Sequence, residues 1–272
     1  MAGVLVDDGV LYTAVNGETG GVYALDLREA DAEPRELVTL VGPDEQGFVN
    51  DLAAVGSRLL VTESFGGVVY EVPLALLAES GESNGDEGVD GGEGVDGGED
   101  GAENEGGDEA SEDDETGDDD ACGPSVWLDG DLLDTPSFGA NGIAAVRGDV
   151  FVNVTRVTDT AGRIVRVPVA CDGSAGEAEV YVEGPEVFGA DGLTARGADL
   201  YVALNSQNRI ARVEAGSLTT VVEGGPLSFP SEVVFDPTDP LTAFVCNFSN
   251  RTPEQGGVLR TAVPVDGRAD GA

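Results

Sequence analysis

The chain contains no lysine and no histidine. All 13 of its basic residues are arginines, set against 53 Asp and Glu, and the formal net charge is −40. Without histidine, no Ser-His-Asp triad, Cys-His pair or His-bearing zinc site can be assembled. Any catalyst here must work with carboxylates, a hard metal ion, or Arg, Tyr and Cys groups. Cysteine is scarce, at Cys122, Cys171 and Cys246. No two of these form a CxxC pair and their number is odd, which argues against a disulfide framework; one Cys122–Cys171 bridge stays open beside three buried or idle thiols. No apolar run is long enough to span a membrane. The start, MAGVLVDDGVLY, reads as a strand and not as a signal peptide, so the chain as written is expected in the cytoplasm, with export open if its N-terminus is incomplete.

What is present is a 40% apolar share drawn mostly from Val, Ala and Leu, with 41 glycines among 272 residues. That mix favours short strands and many turns. The negative field repels nucleic acid and anionic lipid, so neither is an expected partner, and it attracts cations. An acidic chain without lysine also looks like the protein of a salt-loving organism, where salt screens self-repulsion and carboxylates hold surface water.

One segment stands apart. Residues 79–120 hold 20 acids, no base and almost no apolar residue, with GVDGGE written twice. Such a stretch cannot bury enough surface to offset the entropy of ordering and is expected to be a disordered acidic insertion. Its Asp-Gly pieces lack the D-x-D-x-D-G…E spacing of a calcium loop. A role for the tract itself, in binding cations or a basic partner, is a separate possibility. The remainder, 1–78 and 121–272, reads as one domain.

That remainder repeats. Copies begin at Ala2 (AGVLVDDGVLYTAVNGETGGVYALDL), Asn50 (NDLAAVGSRLLVTESFGGVVYEVPL), Asn141 (NGIAAVRGDVFVNV), Asp191 (DGLTARGADLYVALNSQNRIARV) and, more loosely, Ser231 (SEVVFDPTDPLTAFVCNFSN). Each reads as a leading polar residue, a short apolar strand, a turn, an LYVA-type strand, a polar loop and a GxIxRV-type strand. Apolar residues alternate with period 2 inside each run. With the insertion set aside, as a loop between copies, the copies recur every 40 to 50 residues. An all-strand repeat of that length predicts an all-β propeller with five visible blades. A β-sandwich with accidental self-similarity is the competing fold, and five copies in one frame argue against it.

In a propeller the innermost strand of each blade lines the central channel, so the leading residues converge at one mouth. Asn50, Asn141, Asp191 and Ser231 would offer hard oxygen donors there, suited to calcium or magnesium and unsuited to zinc. Asn and Asp also cap turns at strand starts, which would need no ligand. Elsewhere, Tyr12, Tyr70, Tyr181 and Tyr201 read as packing residues, Trp127 as a seal at a blade edge, and Arg163, Arg166, Arg209 and Arg212 as outward residues paired with surface acids. The sequons at Asn153, Asn247 and Asn250 read as chance occurrences.

The segments VNDLAA, ANGIAA, ADGLTA and FPSEVVF, with the LYVA and GRIVRVPV elements, resemble the gluconolactonase and regucalcin family of six-bladed propellers, over the whole chain except 79–120. The resemblance implies a calcium-type divalent cation at the channel mouth, held by Asn141 and Asp191, with Asn50 facing a small-molecule substrate. It further implies hydrolysis of a sugar lactone or similar small ester, the ion polarising the carbonyl and activating water while Asp191 relays the proton. In this correspondence Ala2 falls in the family's second blade, and the family's first-blade Glu has no counterpart. Glu232 lies one residue past the inward position and is expected to point elsewhere. The alternative reading is a propeller that serves only as a binding scaffold.

Overall fold

The computed structural model describes residues 3–76, 123–239 and 241–263. The chain is a β-propeller of five sheets built almost entirely from strands. The first sheet holds β1 (Val4–Asp7), β2 (Val10–Asn16), β3 (Gly20–Asp26) and β4 (Arg35–Val41). The second holds β5 (Val49–Val55), β6 (Arg58–Glu63), β7 (Val68–Pro73) and β8 (Ser125–Leu128). The third holds β9 (Ala140–Val146), β10 (Asp149–Thr158), β11 (Ala161–Pro168) and β12 (Glu179–Gly184). The fourth holds β13 (Ala190–Arg196), β14 (Asp199–Leu204), β15 (Arg209–Glu214) and β16 (Ser217–Glu223). The fifth has three strands, β17 (Pro230–Phe235), β18 (Thr242–Asn247) and β19 (Gly257–Ala262). All pairing is antiparallel between neighbours in sequence. Among the described residues no helix is long and apolar enough to cross a membrane.

The repeats become sheets because each run alternates, and both faces of a middle sheet are covered. Val, Ala, Leu and Ile from facing sheets form four separate cores. Ala14, Val22, Val49 and Leu59 fill the space between the first and second sheets. Leu60, Trp127, Ile143 and Val152 fill the next. Ile164, Val187, Leu193 and Val202 fill the third, and Tyr201, Ile210, Val233 and Val245 the fourth. The innermost strands carry these contacts: β1 and β2 on β5, β5 on β9, β9 on β13, and β13 on β17. No comparable core or packing joins the fifth sheet to the first among the described residues. Val4 and Val6 on β1 and Val234 and Val258 in the fifth sheet accordingly stand exposed.

One expectation changes here. Residues 77–122 do not fall between blades. They connect β7 to β8, the third and fourth strands of the second sheet. The fourth strand of this blade, SVWL, is short and half exposed, and no repeat signal marks it. The expected disordered tract 79–120 and Cys122 lie outside the described residues. Cys171 and Cys246 are free, exposed thiols. Trp127 does seal its blade: it is buried and its indole donates to the Gly173 carbonyl at 2.9 Å. Asn153 and Asn247 are buried, so the folded chain cannot present them for glycosylation.

Candidate functional site

The leading residues stand where the innermost strands begin, and four of these strands share one irregularity. Val49 pairs with Glu63 and Leu52 with Val61, so Asn50 and Asp51 together face the single residue Thr62. Asn141 and Gly142 share Asn153 in the same way, and Asp191 and Gly192 share Ala203. In β17 the extra residue is Ser231, between Pro230 and Glu232. Each is a one-residue bulge. A bulge breaks strict alternation and re-aims the side chains beside it, which is why bulges recur next to functional sites.

The bulges are held by a repeated set of hydrogen bonds. Asn50 Nδ2 donates to Ser64 Oγ at 2.9 Å, and Ser64 Oγ donates to the Ala140 carbonyl of the next sheet at 2.6 Å. Asn141 Nδ2 donates to Thr155 Oγ1 at 2.8 Å, and Thr155 Oγ1 to the Ala190 carbonyl at 2.8 Å. Asp191 Oδ2 accepts from Asn205 Nδ2 at 3.0 Å. Thr62 accepts the Asp51 N–H at 3.0 Å and donates across to the Asn141 carbonyl at 2.6 Å. Asn153 Nδ2 reaches the Asp191 carbonyl at 2.9 Å, while its fully buried Oδ1 has no partner. Asn50, Asn141 and Asp191 are thus fixed in orientation at one mouth of the channel.

The bulges also bring in two carboxylates that strict alternation hides. Asp51 is buried. Its Oδ1 accepts the Leu52 N–H at 2.9 Å and its Oδ2 accepts the Ile143 N–H of the next sheet at 3.1 Å. Glu232, expected to point elsewhere, lies instead against Gly192: a Cβ there would stand 2.5 Å from Glu232 Oε2. Its Oε1 accepts the Val233 N–H at 2.7 Å. Ser231, expected in the ring of donors, turns its hydroxyl to the Cys246 carbonyl at 3.4 Å. The extra residue in β17 is what brings Glu232 to the mouth in its place.

The electrostatics follow from burial without counter-charge. Burial pushes Asp51 up to about 7; the Ile143 and Leu52 N–H groups pull it back, and the Asp191 charge pushes it further up. Burial pushes Asp191 up to about 6 against the hydrogen bonds from Asn205 and Asn141. Glu232 is held well above the ordinary carboxylate range, first by burial and then by the charge on Asp51. Each of these shifts says that the negative form is undersupplied with favourable interactions. Among the described residues no ion pair to an arginine reaches any of the three. Asp191 and Glu232 are partly exposed as residues while protein encloses their carboxyl groups. Among the described residues no three carboxylate or thiol groups stand close enough to form a ready-made metal cluster. A cation here would need a mixed set in which Asn oxygens complete the carboxylates.

No protein-family model matches the sequence, and no curated protein matches it. Solved structures do match in fold. A chain in a nidogen–laminin complex superposes with a TM-score of 0.62 at 14% identity, over 96% of this chain and 75% of that one. A putative 6-phosphogluconolactonase from Bacteroides uniformis gives 0.53 at 14% identity, over 97% and 67%. A calcium-binding regucalcin from Agrobacterium tumefaciens gives 0.46 at 13%, over 98% and 91%, a correspondence too loose to carry residue roles across. A chain from a nidogen–laminin complex and a putative 6-phosphogluconolactonase both share the fold, so the fold does not select the function.

Proposed function

We propose that the protein is a divalent-cation-dependent hydrolase of lactones or similar small esters, working at the channel mouth. The observation that carries this is the convergence of Asp51, Asp191 and Glu232 beside Asn50 and Asn141, with no arginine ion pair to neutralise them among the described residues. A negative surplus of that kind is stable only when a proton or a cation compensates it. The donor set fits a hard cation: it is all oxygen, with no imidazole or thiolate. Gly192 leaves room for the Glu232 carboxylate, where any side chain would displace it.

Asn141, Asp191 and Glu232 would hold the ion, with Glu232 supplying the carboxylate that the family's first blade provides elsewhere. A bound divalent cation supplies charge stabilisation to the carbonyl oxygen of an ester under attack. Asn50, tied through its Nδ2 to Ser64, presents its Oδ1 to the substrate. Asp191 takes the proton of the attacking water and returns it to the leaving alkoxide. Asp51 is a positioning residue: both its oxygens are engaged by backbone N–H groups, and it fixes the second sheet against the third.

Calcium titration by calorimetry in high salt tests this, comparing the chain with Asp191→Ala. One-site binding that the variant loses, together with lactone hydrolysis that a chelator abolishes, is the expected outcome. Identical weak, many-site binding in both proteins would mean that the ion meets only the general acidic surface, and the propeller would then be a scaffold.

A further inference from the structure

Six of the nine phenylalanines stand at the channel mouth. Phe48, Phe138, Phe188 and Phe229 each lie one or two residues before an innermost strand, β5, β9, β13 and β17. Phe65 and Phe248 lie in the loops that follow β6 and β18 at the same end. Only Phe151, Phe235 and Phe244 sit within strands. None of the six is buried: Phe65 is 44% exposed and Phe248 65%, and the other four are half-buried. Five of them form two groups, and the sixth, Phe188, lies under the Arg156 guanidinium, 5.4 Å from its ring centroid. Phe48, Phe65 and Phe138 meet one another at 5.2 to 6.2 Å between ring centroids, bridging the second and third sheets. Phe229 and Phe248 stand 6.3 Å apart on the fifth sheet. Phe229 holds a left-handed backbone, φ 50°, which is costly for a bulky residue and is more often found at functional sites than in packing.

Rings kept half open to water at one end of a chain this charged are expensive as surface and useful as a binding wall. We infer that this aromatic collar sets the substrate class of the proposed site: a neutral lactone or ester carrying an apolar or aryl group, and not a polyhydroxylated or phosphorylated sugar lactone. The inference rests on the hydrolase reading for the reaction, but the collar's binding preference stands separately. Charge complementarity points the same way. The overall negative field of the chain repels an anion on approach, with Arg156 over Phe188 as the guanidinium at the collar. Hydrolysis adds water across the acyl–oxygen bond, converting a neutral lactone into a hydroxy acid that loses its proton at neutral pH. The substrate therefore enters uncharged, and the product leaves as an anion that the same field expels.

The test uses dihydrocoumarin, a neutral aryl-fused lactone, and glucono-δ-lactone, which bears hydroxyls only. Binding is measured by calorimetry with a chelator present, and KM and kcat with calcium. Dihydrocoumarin is expected to bind at least about tenfold more tightly. Phe248→Ala and Phe65→Leu are expected to weaken it about five- to tenfold as a rise in Kd and KM. Val126→Ala, an exposed apolar residue away from the mouth, serves as the control and leaves both unchanged. Phe65 and Phe248 are exposed enough that their loss does not threaten folding, and thermal unfolding verifies this. A preference for glucono-δ-lactone, or Phe variants indistinguishable from the control, overturns the inference even if hydrolysis is found. Binding of dihydrocoumarin that the Phe variants lose, without hydrolysis, retains the collar and overturns the hydrolase.

Discussion

The enclosed carboxylates of the channel mouth and those beside the far-end turns meet their charge in opposite ways. Near the tight turns at the far end, carboxylates come with guanidinium groups. Arg58 pairs with Glu71, Arg166 with Asp149 and Glu179, and Arg212 with Asp199 and Glu214. At the mouth, Asp51, Asp191 and Glu232 find only backbone N–H groups and Asn amides. A chain with 13 arginines and 53 acids must leave most acids unpaired. Leaving the most deeply enclosed ones unpaired is the costlier choice, because desolvation there is uncompensated. The far end's charges act as surface complementarity across strands. The mouth's charges are an unmet demand, and function is the reason to keep one.

The largest expected effect tests that demand directly. Asp191→Asn keeps the size of the side chain and removes its charge. Hydrolysis in saturating calcium is expected to fall by at least about a hundredfold, the usual scale for losing a positioned acid–base group, with one-site calcium binding lost as well. Activity and binding that survive the substitution would remove Asp191 from the site.

The next effect is a pH dependence in the cation-free chain. Asp51, Asp191 and Glu232 all titrate higher in the folded state than their ordinary values near 3.8 and 4.5. Between about pH 4 and 7 the folded chain therefore binds more protons than the unfolded chain. Stability falls as pH rises through that window, and the full penalty is present above it. Glu232→Gln keeps an oxygen for the Val233 N–H and removes one of the coupled charges. It is expected to raise the melting temperature at pH 8 by about 3–6 °C, corresponding to about 1–2 kcal/mol, and by much less at pH 4. Measurement in high salt with a chelator separates this from the general repulsion of the acidic surface. An equal shift at both pH values would mean that Glu232 is not a charged member of the mouth.

A smaller effect concerns the latches behind the mouth. Thr62→Val is nearly isosteric and removes the hydroxyl shared by the Asp51 N–H and the Asn141 carbonyl. Stranding those buried groups costs about 1–3 kcal/mol, measurable as a lower urea midpoint. A variant as stable as the parent would show that the neighbouring sheets are held by their apolar cores alone.

The sequence made the five repeats legible because alternation and a leading Asn, Asp or Ser recur in one frame. It made Asn50, Asn141 and Asp191 legible as channel residues for the same reason. It did not mark the fourth strands, whose SVWL and EVYVEG segments face solvent and carry no shared signal. Asp51 and Glu232 were hidden by the rule that found the others, since strict period 2 turns each of them away from the channel. The available clue was local: ND, NG, DG and SE each place two polar or small residues where alternation allows one, and that doubling is the signature of a bulge. The collar was equally available, in GFVND, SFGANG, VFGADG and SFPSE, but rings before a strand read as packing until the sheets show that they share one end.

The smallest expected effect sharpens the comparison from the other side. Arg166 donates to Glu179 at 2.8 Å and pairs with Asp149 at 2.9 Å, with its side chain 37% exposed. A pair that solvent and salt can reach contributes about 0–1 kcal/mol. Arg166→Ala is therefore expected to lower stability by no more than that, by less in high salt, and to leave calcium binding and hydrolysis unchanged. The result matters because it tests whether the two ends are independent. If removing a far-end arginine strengthened calcium binding, the mouth would be responding to the whole field of the molecule, and the three carboxylates would be its deepest members only. If binding stays fixed while Asp191→Asn abolishes it, the demand for a cation is local to the bulged strands, where three enclosed carboxylates stand without an arginine ion pair among the described residues.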